Sequence, residues 1–354
     1  MTPMQTLTSL GWNPYWQAAL AALELPDCRA GRVVADYGAT LIVATPTELT
    51  ATVSGRLSHT LKAGEFPKIG DWVALTATDP GRGIIHGCLP RQSQLSRQAA
   101  GRTATEQVIA ANVDTALVVQ AANGDVSANR LDRYRFQLAA AGIKAVIVIN
   151  KIDLVPDLAA VRAAVAGQRG VIWTSQATGV GFDELAAVIT PGETAVLLGS
   201  SGVGKSSIIN RLLGRSAQAV GAVREADSRG RHTTTHKQMF ALPGGGWLID
   251  TPGVRELQLW GEVEQLEAAF PDIESLAMGC KYTDCHHATE PGCNVQQAIA
   301  SGQLEAARLD NYLKLEAELA QLAARVRRPG RHGAPSRHPD IDPDDTSGTK
   351  PAMP

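Results

Sequence analysis

"LLGSSGVGKSSIIN", Leu197 to Asn210, is the stretch that decides the fold. It contains G-x-x-x-x-G-K-S from Gly199 to Ser206. The apolar run "ETAVLL" ahead of it predicts a buried strand, and "KSSIINRLL" behind it predicts a helix with one apolar face. Strand, glycine-rich turn and helix in that order read as a phosphate-binding loop. Gly199, Gly202 and Gly204 let the backbone curl so that successive N–H groups face phosphate oxygens, and the helix N-terminus adds a favourable dipole. The expected nucleotide contacts are Gly199, Ser200, Ser201, Gly202, Val203, Gly204, Lys205, Ser206 and Ser207. Lys205 should reach the β- and γ-phosphates, and Ser206 should ligate Mg²⁺. Such a loop usually opens its domain, yet here nearly two hundred residues precede it.

Part of the answer lies upstream. "VIVINKID" puts Asn150, Lys151, Ile152 and Asp153 directly after a buried strand. Guanine presents N1–H and N2–H₂ donors along one edge, and the Asp153 carboxylate can accept both. Asn150 can serve the O6/N7 side and brace neighbouring loops, and the Lys151 stem can cover the ring. Adenine lacks the N1–H, and a site built on such bonds rejects the wrong base by about 10⁴. "IWTSQATGVGF" places Ser175 and Gln176 at the end of another strand, in reach of the same base.

Downstream come "SRGRHTTTHKQ" and "LIDTPGV". Asp250 should sit near Mg²⁺ through water, and Gly253 should offer its N–H to the γ-phosphate. Thr233 or Thr234 should ligate Mg²⁺ only when that phosphate is present, which makes both stretches switch loops. The usual GTPase order is phosphate loop, switches, NKxD, then the serine-containing base loop. Here NKID and TSQ come first and the phosphate loop follows, so the domain is circularly permuted, as a fold with adjacent termini tolerates. Val254 follows DTPG and cannot orient a water, so His232 is the expected catalytic residue. A nucleotide-gated scaffold without turnover is the rival reading. An ATPase is a second rival, and NKID argues against it.

At 354 residues and 44% apolar content the chain has room for two or three domains with buried cores. Its net charge of −2 hides a basic bias between Gly31 and Arg102, where eight Lys/Arg face five acids. That bias permits a nucleic-acid partner without requiring one. The first basic residue is Arg29, and "AALAAL" is too short to span a bilayer. A soluble, cytoplasmic protein with no membrane contact is expected. "RVVADY", "TLIVAT", "LTATVSG", "DWVALTA" and "GIIHGCL" are five short β runs within about sixty residues, which suits an OB-type barrel. Strands and helices then alternate through "VDTALVVQA", "RLDRYRFQLAAAG" and "KAVIVI", as in a parallel sheet covered by helices.

"CKYTDCHHATEPGC" crowds three of the five cysteines between Cys280 and Cys293, with His286 and His287 among them. Three thiolates and one imidazole suit a closed, structural tetrahedral zinc site. Either histidine can complete the set. Cys28 and Cys88 are isolated and read as packed thiols.

From Arg32 to Arg328 the chain resembles the RsgA (YjeQ) family, the GTPases of bacteria that depend on the small ribosomal subunit. The permuted motifs, "GRHTTT", "DTPGVRE" and the cysteine cluster carry the likeness. The resemblance implies an N-terminal OB barrel, a central α/β permuted GTPase domain and a C-terminal helical zinc domain. Its C-x₄-C-x-H-x₅-C pattern favours Cys280, Cys285, His287 and Cys293 as the zinc ligands. It also implies GTP hydrolysis to GDP and phosphate, stimulated by the small (30S) subunit during its late maturation, with ribosomal RNA held by the outer domains. The expected division is an extension over 1–30, the barrel over 31–100, the GTPase over 101–256, the zinc domain over 257–330 and a disordered tail over 331–354. One zinc and Mg²⁺ with GTP are the expected cofactors, and a monomer is expected.

Overall fold

A computed structural model describes residues 6–62, 64–78, 81–98, 106–124, 126–214, 237–250, 266 and 269–327. The expected tail lies outside them. The five expected β runs form β1 (Arg29–Asp36), β2 (Leu41–Ala44), β3 (Glu48–Val53), β4 (Trp72–Ala77) and β5 (Arg82–Cys88). A short helix, α2 (Gly55–Thr60), links β3 to β4; α1 (Pro14–Ala21) precedes β1. The strands pair in the order β1-β2-β3-β5-β4, and β4 returns to β1, which closes the barrel. The β3–β5 pairing is parallel and the others are antiparallel, as in an OB fold. Val33, Val43, Ala51, Val73, Leu75 and Ile85 fill its interior and are fully buried.

The α/β part of the sheet is built from β8 (Thr115–Ala121), β9 (Lys144–Asn150), β10 (Ile172–Trp173), β11 (Thr194–Leu198), β12 (Lys237–Ala241) and β13 (Trp247–Asp250). Its order is β10-β9-β8-β11-β13-β12. All pairs are parallel except the β12–β13 hairpin, whose turn holds the glycines at 244–246. Every residue of β8 and β11 is buried, as central parallel strands covered on both faces require. The covering helices are α3 (Ala128–Ala140), α4 (Ala159–Ala164), α5 (Phe182–Ala187) and α6 (Lys205–Leu212).

Three features go beyond the sequence reading. A hairpin of β6 (Gln94–Gln98) with β7 (Glu106–Ala111) links the two units: Ala111 N–H donates to the Ile69 carbonyl, and the Ile109 carbonyl accepts from Lys237. Strand β1 carries a bulge between Val33 and Ala35. Before it β1 pairs with β4, and after it Ala35 and Asp36 pair with β12. A bulge bends and twists its strand, and here it lets one strand belong to both sheets. The N-terminal extension is a wedge between the two units. Asn13 caps α1 by accepting the N–H groups of Tyr15 and Trp16, and the Trp12 and Trp16 rings pack on Trp72 with centroids 4.8 and 6.0 Å away. The buried Arg32 guanidinium donates to the carbonyls of Leu10, Gly70 and Asn112, one each from the extension, the barrel and the GTPase entry.

The C-terminal part is helical, with α7 (Pro271–Ala277), α8 (Asn294–Ala300) and α9 (Ala306–Arg327). It docks on α3. Phe136 of α3 is fully buried among Phe270, Ile273, Leu315 and Leu319. The buried Asp132 carboxylate accepts from Arg308 at 2.8 Å, Asn311 at 3.1 Å and Gln168 at 3.0 Å. Arg308 also bonds Asp272 and lies over the Phe270 ring. Among the described residues no helix is long and apolar enough to cross a membrane.

Candidate functional site

Strand β11 delivers the phosphate loop at its C-terminal end, between β8 and β13. Gly199 has φ +140°, and a Cβ there would come within 2.2 Å of the Val119 carbonyl. Gly204 has φ +101°, and a Cβ would meet the Asn150 amide at 2.3 Å. Both positions therefore require glycine, for backbone angle and for closeness of approach. Helix α6 then starts at Lys205 and is held down by Ile208, Ile209 and Leu212, all buried. Each such side chain contributes roughly 1.5–3 kcal/mol of burial.

The Lys205 ammonium lies over its own loop, donating to the carbonyls of Gly199 at 2.6 Å and Ser200 at 2.8 Å. Burial lowers its pKa, and the nearby Asp250 carboxylate partly offsets this. Asp250 ends β13, one residue beyond Ile249, which stands opposite Val196. A cavity of about 310 Å³ lies beside the loop, walled by Gly199–Val203, by Lys151 and by Gln120, Arg130 and Tyr134 from the β8–α3 side.

The NKID loop is tied to the phosphate loop. The buried Asn150 side chain donates to the Val203 carbonyl at 2.9 Å and accepts from the Thr174 hydroxyl at 3.0 Å. Lys151 adopts φ +63°, and its ammonium donates to the Gly202 carbonyl at 2.6 Å. Ile152 N–H donates to the Thr174 carbonyl at 3.3 Å, which joins the two base loops. Asp153 sits in a short 3₁₀ turn, Ile152–Leu154, and is exposed. In the second loop the buried Ser175 hydroxyl accepts from Thr178 N–H, Ser175 N–H donates to Val180, and Gln176 is exposed. The Asn150 amide braces the neighbouring loops, as expected of it. A carboxylate and an exposed loop backbone are left at the open edge. The structure thus brings together Asn150 to Asp153, Ser175 and Gln176, Gly199 to Ser207, and Asp250. His232, Thr233, Thr234, Gly253 and Val254 lie outside the described residues.

The Cys280, Cys285, His287 and Cys293 ligand atoms all lie within 4.8 Å of one another. His287 Nδ1 is 3.6 Å from Cys280 Sγ and 3.5 Å from Cys293 Sγ, and those two sulfurs are 3.9 Å apart. His287 is buried at φ +58°, and its carbonyl accepts from Gln296. The Glu290 carboxylate accepts the N–H groups of His286 and Ala288, holding the loop so that His287 faces inward while His286 is exposed. This set can hold one metal ion, with no side chain left over.

The comparisons with known proteins agree with this geometry. Residues 88–260 match the family model described as RsgA GTPase. The small ribosomal subunit biogenesis GTPase RsgA of Opitutus terrae is 41% identical over 336 residues, covering 91% of this chain and 92% of that protein. The protein of the same name from Syntrophotalea carbinolica is 39% identical over 338 residues, covering 90% and 93%. The crystal structure of YjeQ from Thermotoga maritima superposes with a TM-score of 0.63 at 27% identity, covering 83% of this chain and 99% of that one. YloQ, described as a circularly permuted GTPase, gives 0.61 at 25% identity, covering 85% and 96%. With a closed five-stranded barrel, a permuted nucleotide sheet and a Cys₃His cluster in one chain, and the Opitutus and Syntrophotalea proteins matched over nine tenths of its length, the chain belongs to the RsgA GTPase family.

Proposed function

We propose that this chain binds GTP and hydrolyses it to GDP and phosphate while engaged with the small (30S) ribosomal subunit late in that subunit's maturation. The observation that carries the nucleotide reading is the pair of bonds from Asn150 and Lys151 to Val203 and Gly202. They support the reading by tying the phosphate loop to the loop that carries Asp153; in that reading the phosphates lie on Gly199–Ser207 and the Asp153 carboxylate takes the guanine N1/N2 edge. Ser175 and the Gln176 N–H serve the other edge. The Lys205 ammonium and the loop N–H groups neutralise phosphate charge. Mg²⁺ supplies further charge neutralisation when bound, and Ser206, Asp250, and Thr233 or Thr234 are the residues to hold it, with Gly253 on the γ-phosphate. His232 is the proposed water-orienting group.

The partner reading is supported by the names of the relatives, each a small ribosomal subunit biogenesis GTPase. The barrel and the Cys₃His domain are the proposed contacts with ribosomal RNA, made by a monomer. Zinc is the proposed metal. Bonds of about 2.3 Å in a tetrahedron put ligand atoms about 3.8 Å apart, close to the 3.5–3.9 Å separations among Cys280, His287 and Cys293. The test is binding of the full chain to purified small subunits at increasing salt, with a non-hydrolysable GTP analogue and with GDP. Affinity should fall steeply with salt, as for a polyanion partner, and be higher with the analogue. Equal affinity in both nucleotide states would remove the nucleotide gate.

A further inference from the structure

Strand β12 is bonded on one side to β13, which ends at Asp250, and on the other to barrel strand β1. Ala35, Gln238 and Asp250 therefore stand in one row across three strands. Adjacent strands lie about 4.8 Å apart, so the barrel edge is about 10 Å from the backbone that carries the carboxylate. The preceding residue of β12, Lys237, stands opposite Asp36. Its half-buried ammonium donates to the Ile109 carbonyl of β7 at 2.7 Å. Asp36 also attracts it, and itself pairs with Lys68 at 3.7 Å. Lys237 thus ties together β12, the barrel and the β6–β7 hairpin. Burial depresses its pKa to about 8, so the charge is held there against its solvation preference.

We propose that Lys237 is a positioning residue for Asp250: by pinning β12 to the barrel and the hairpin it fixes the row Ala35–Gln238–Asp250, and it makes Mg²⁺-dependent nucleotide binding answer to how the barrel is seated. The inference rests on the reading of Asp250 as the Mg²⁺-side carboxylate. It gives the barrel a path to the nucleotide site through the β1–β12–β13 ladders, with the Lys237 side chain as the pin.

The test uses the full chain, titrated with a fluorescent GDP at a series of Mg²⁺ concentrations. Lys237→Met should leave metal-free GDP affinity unchanged. It should raise the Mg²⁺ concentration for half-maximal tightening about fivefold or more, the low end of ordinary coupling between sites. Lys237→Arg, which keeps a charged donor, should restore the wild-type value. A folded Lys237→Met with wild-type Mg²⁺ dependence, whatever its melting temperature, would overturn the proposal. If Lys237→Met does not fold, Asp36→Asn removes the opposing charge and must show the same shift; its absence there would also overturn it. Asp250→Asn separates the two readings. If it keeps full Mg²⁺ dependence, the assignment of Asp250 falls and the inference with it. If it loses that dependence while Lys237→Met does not, the inference alone falls.

Discussion

The Asn150 side-chain amide donates to the Val203 carbonyl at 2.9 Å, which makes the loop after β9 and the glycine-rich loop after β11 one mechanical unit. The same side chain accepts from Thr174, so its loss orphans a buried acceptor and a buried hydroxyl together. Asn150→Ala should cost about 1–3 kcal/mol of stability before any nucleotide is added. GDP affinity should fall as well, because the loops are no longer preset. Thermal or urea unfolding of the nucleotide-free protein checks the first part, and an unchanged midpoint would contradict it.

Asp153 is the converse case. It is exposed, so Asp153→Asn should leave unfolding of the free protein unchanged. With guanine bound, the new amide turns a donor toward N1–H or N2–H₂. Affinity for GTP should fall by about 2 kcal/mol, roughly thirtyfold. Titration with GTP and ATP decides it; an undiminished preference for GTP would place base recognition elsewhere.

Cys285→Ser removes one of four ligands from the metal set. Metal analysis of the native protein should give about one zinc per chain, and the variant should lose it. The packing of Phe270, Val295 and Leu319 around the cluster should loosen, while GDP binding persists. A metal-free native protein with an intact C-terminal fold would contradict the assignment.

Lys237 gives a pH dependence with a defined sign. Its folded-state pKa, about 8, lies below the ordinary 10.5, chiefly through burial, with Asp36 opposing and Lys68 and Arg97 adding to the depression. Between those values the unfolded chain binds more protons than the folded one, so stability rises with pH. Below about pH 8 the folded protein carries the full penalty, at most about 3 kcal/mol. Relative to Lys237→Met, the wild type should gain stability from pH 8 to pH 10. Parallel urea unfolding of the two proteins measures it, and a flat difference would place the ammonium in water.

The nucleotide site was legible because its chemistry demands particular residues at strand ends. Only glycine fits at Gly199 and Gly204, and the Asn150 amide that follows β9 bonds the phosphate loop. The barrel was legible because short β runs are punctuated by Gly, Pro and Asp. The joints between units were not. Strand β12 has no composition that names β1 as its partner, and the polar "QLSRQ" of β6 lacks an apolar run. The role of Arg32 depends on three carbonyls far apart in sequence, and Trp12 and Trp16 gain meaning only beside Trp72. The Cys₃His spacing left two histidines open, and the backbone N–H bonds to Glu290 decide between them.

GTP turnover by the full chain, measured with and without purified small subunits, decides whether the activity answers to the small ribosomal subunit. Turnover by the free protein should be slow and kcat should rise when subunits are added, with ATP not hydrolysed in either case and His232→Ala losing most of the stimulation while still binding GTP and subunits. A GTP rate that subunits leave unchanged, or a stimulated rate shared equally by ATP, would contradict it.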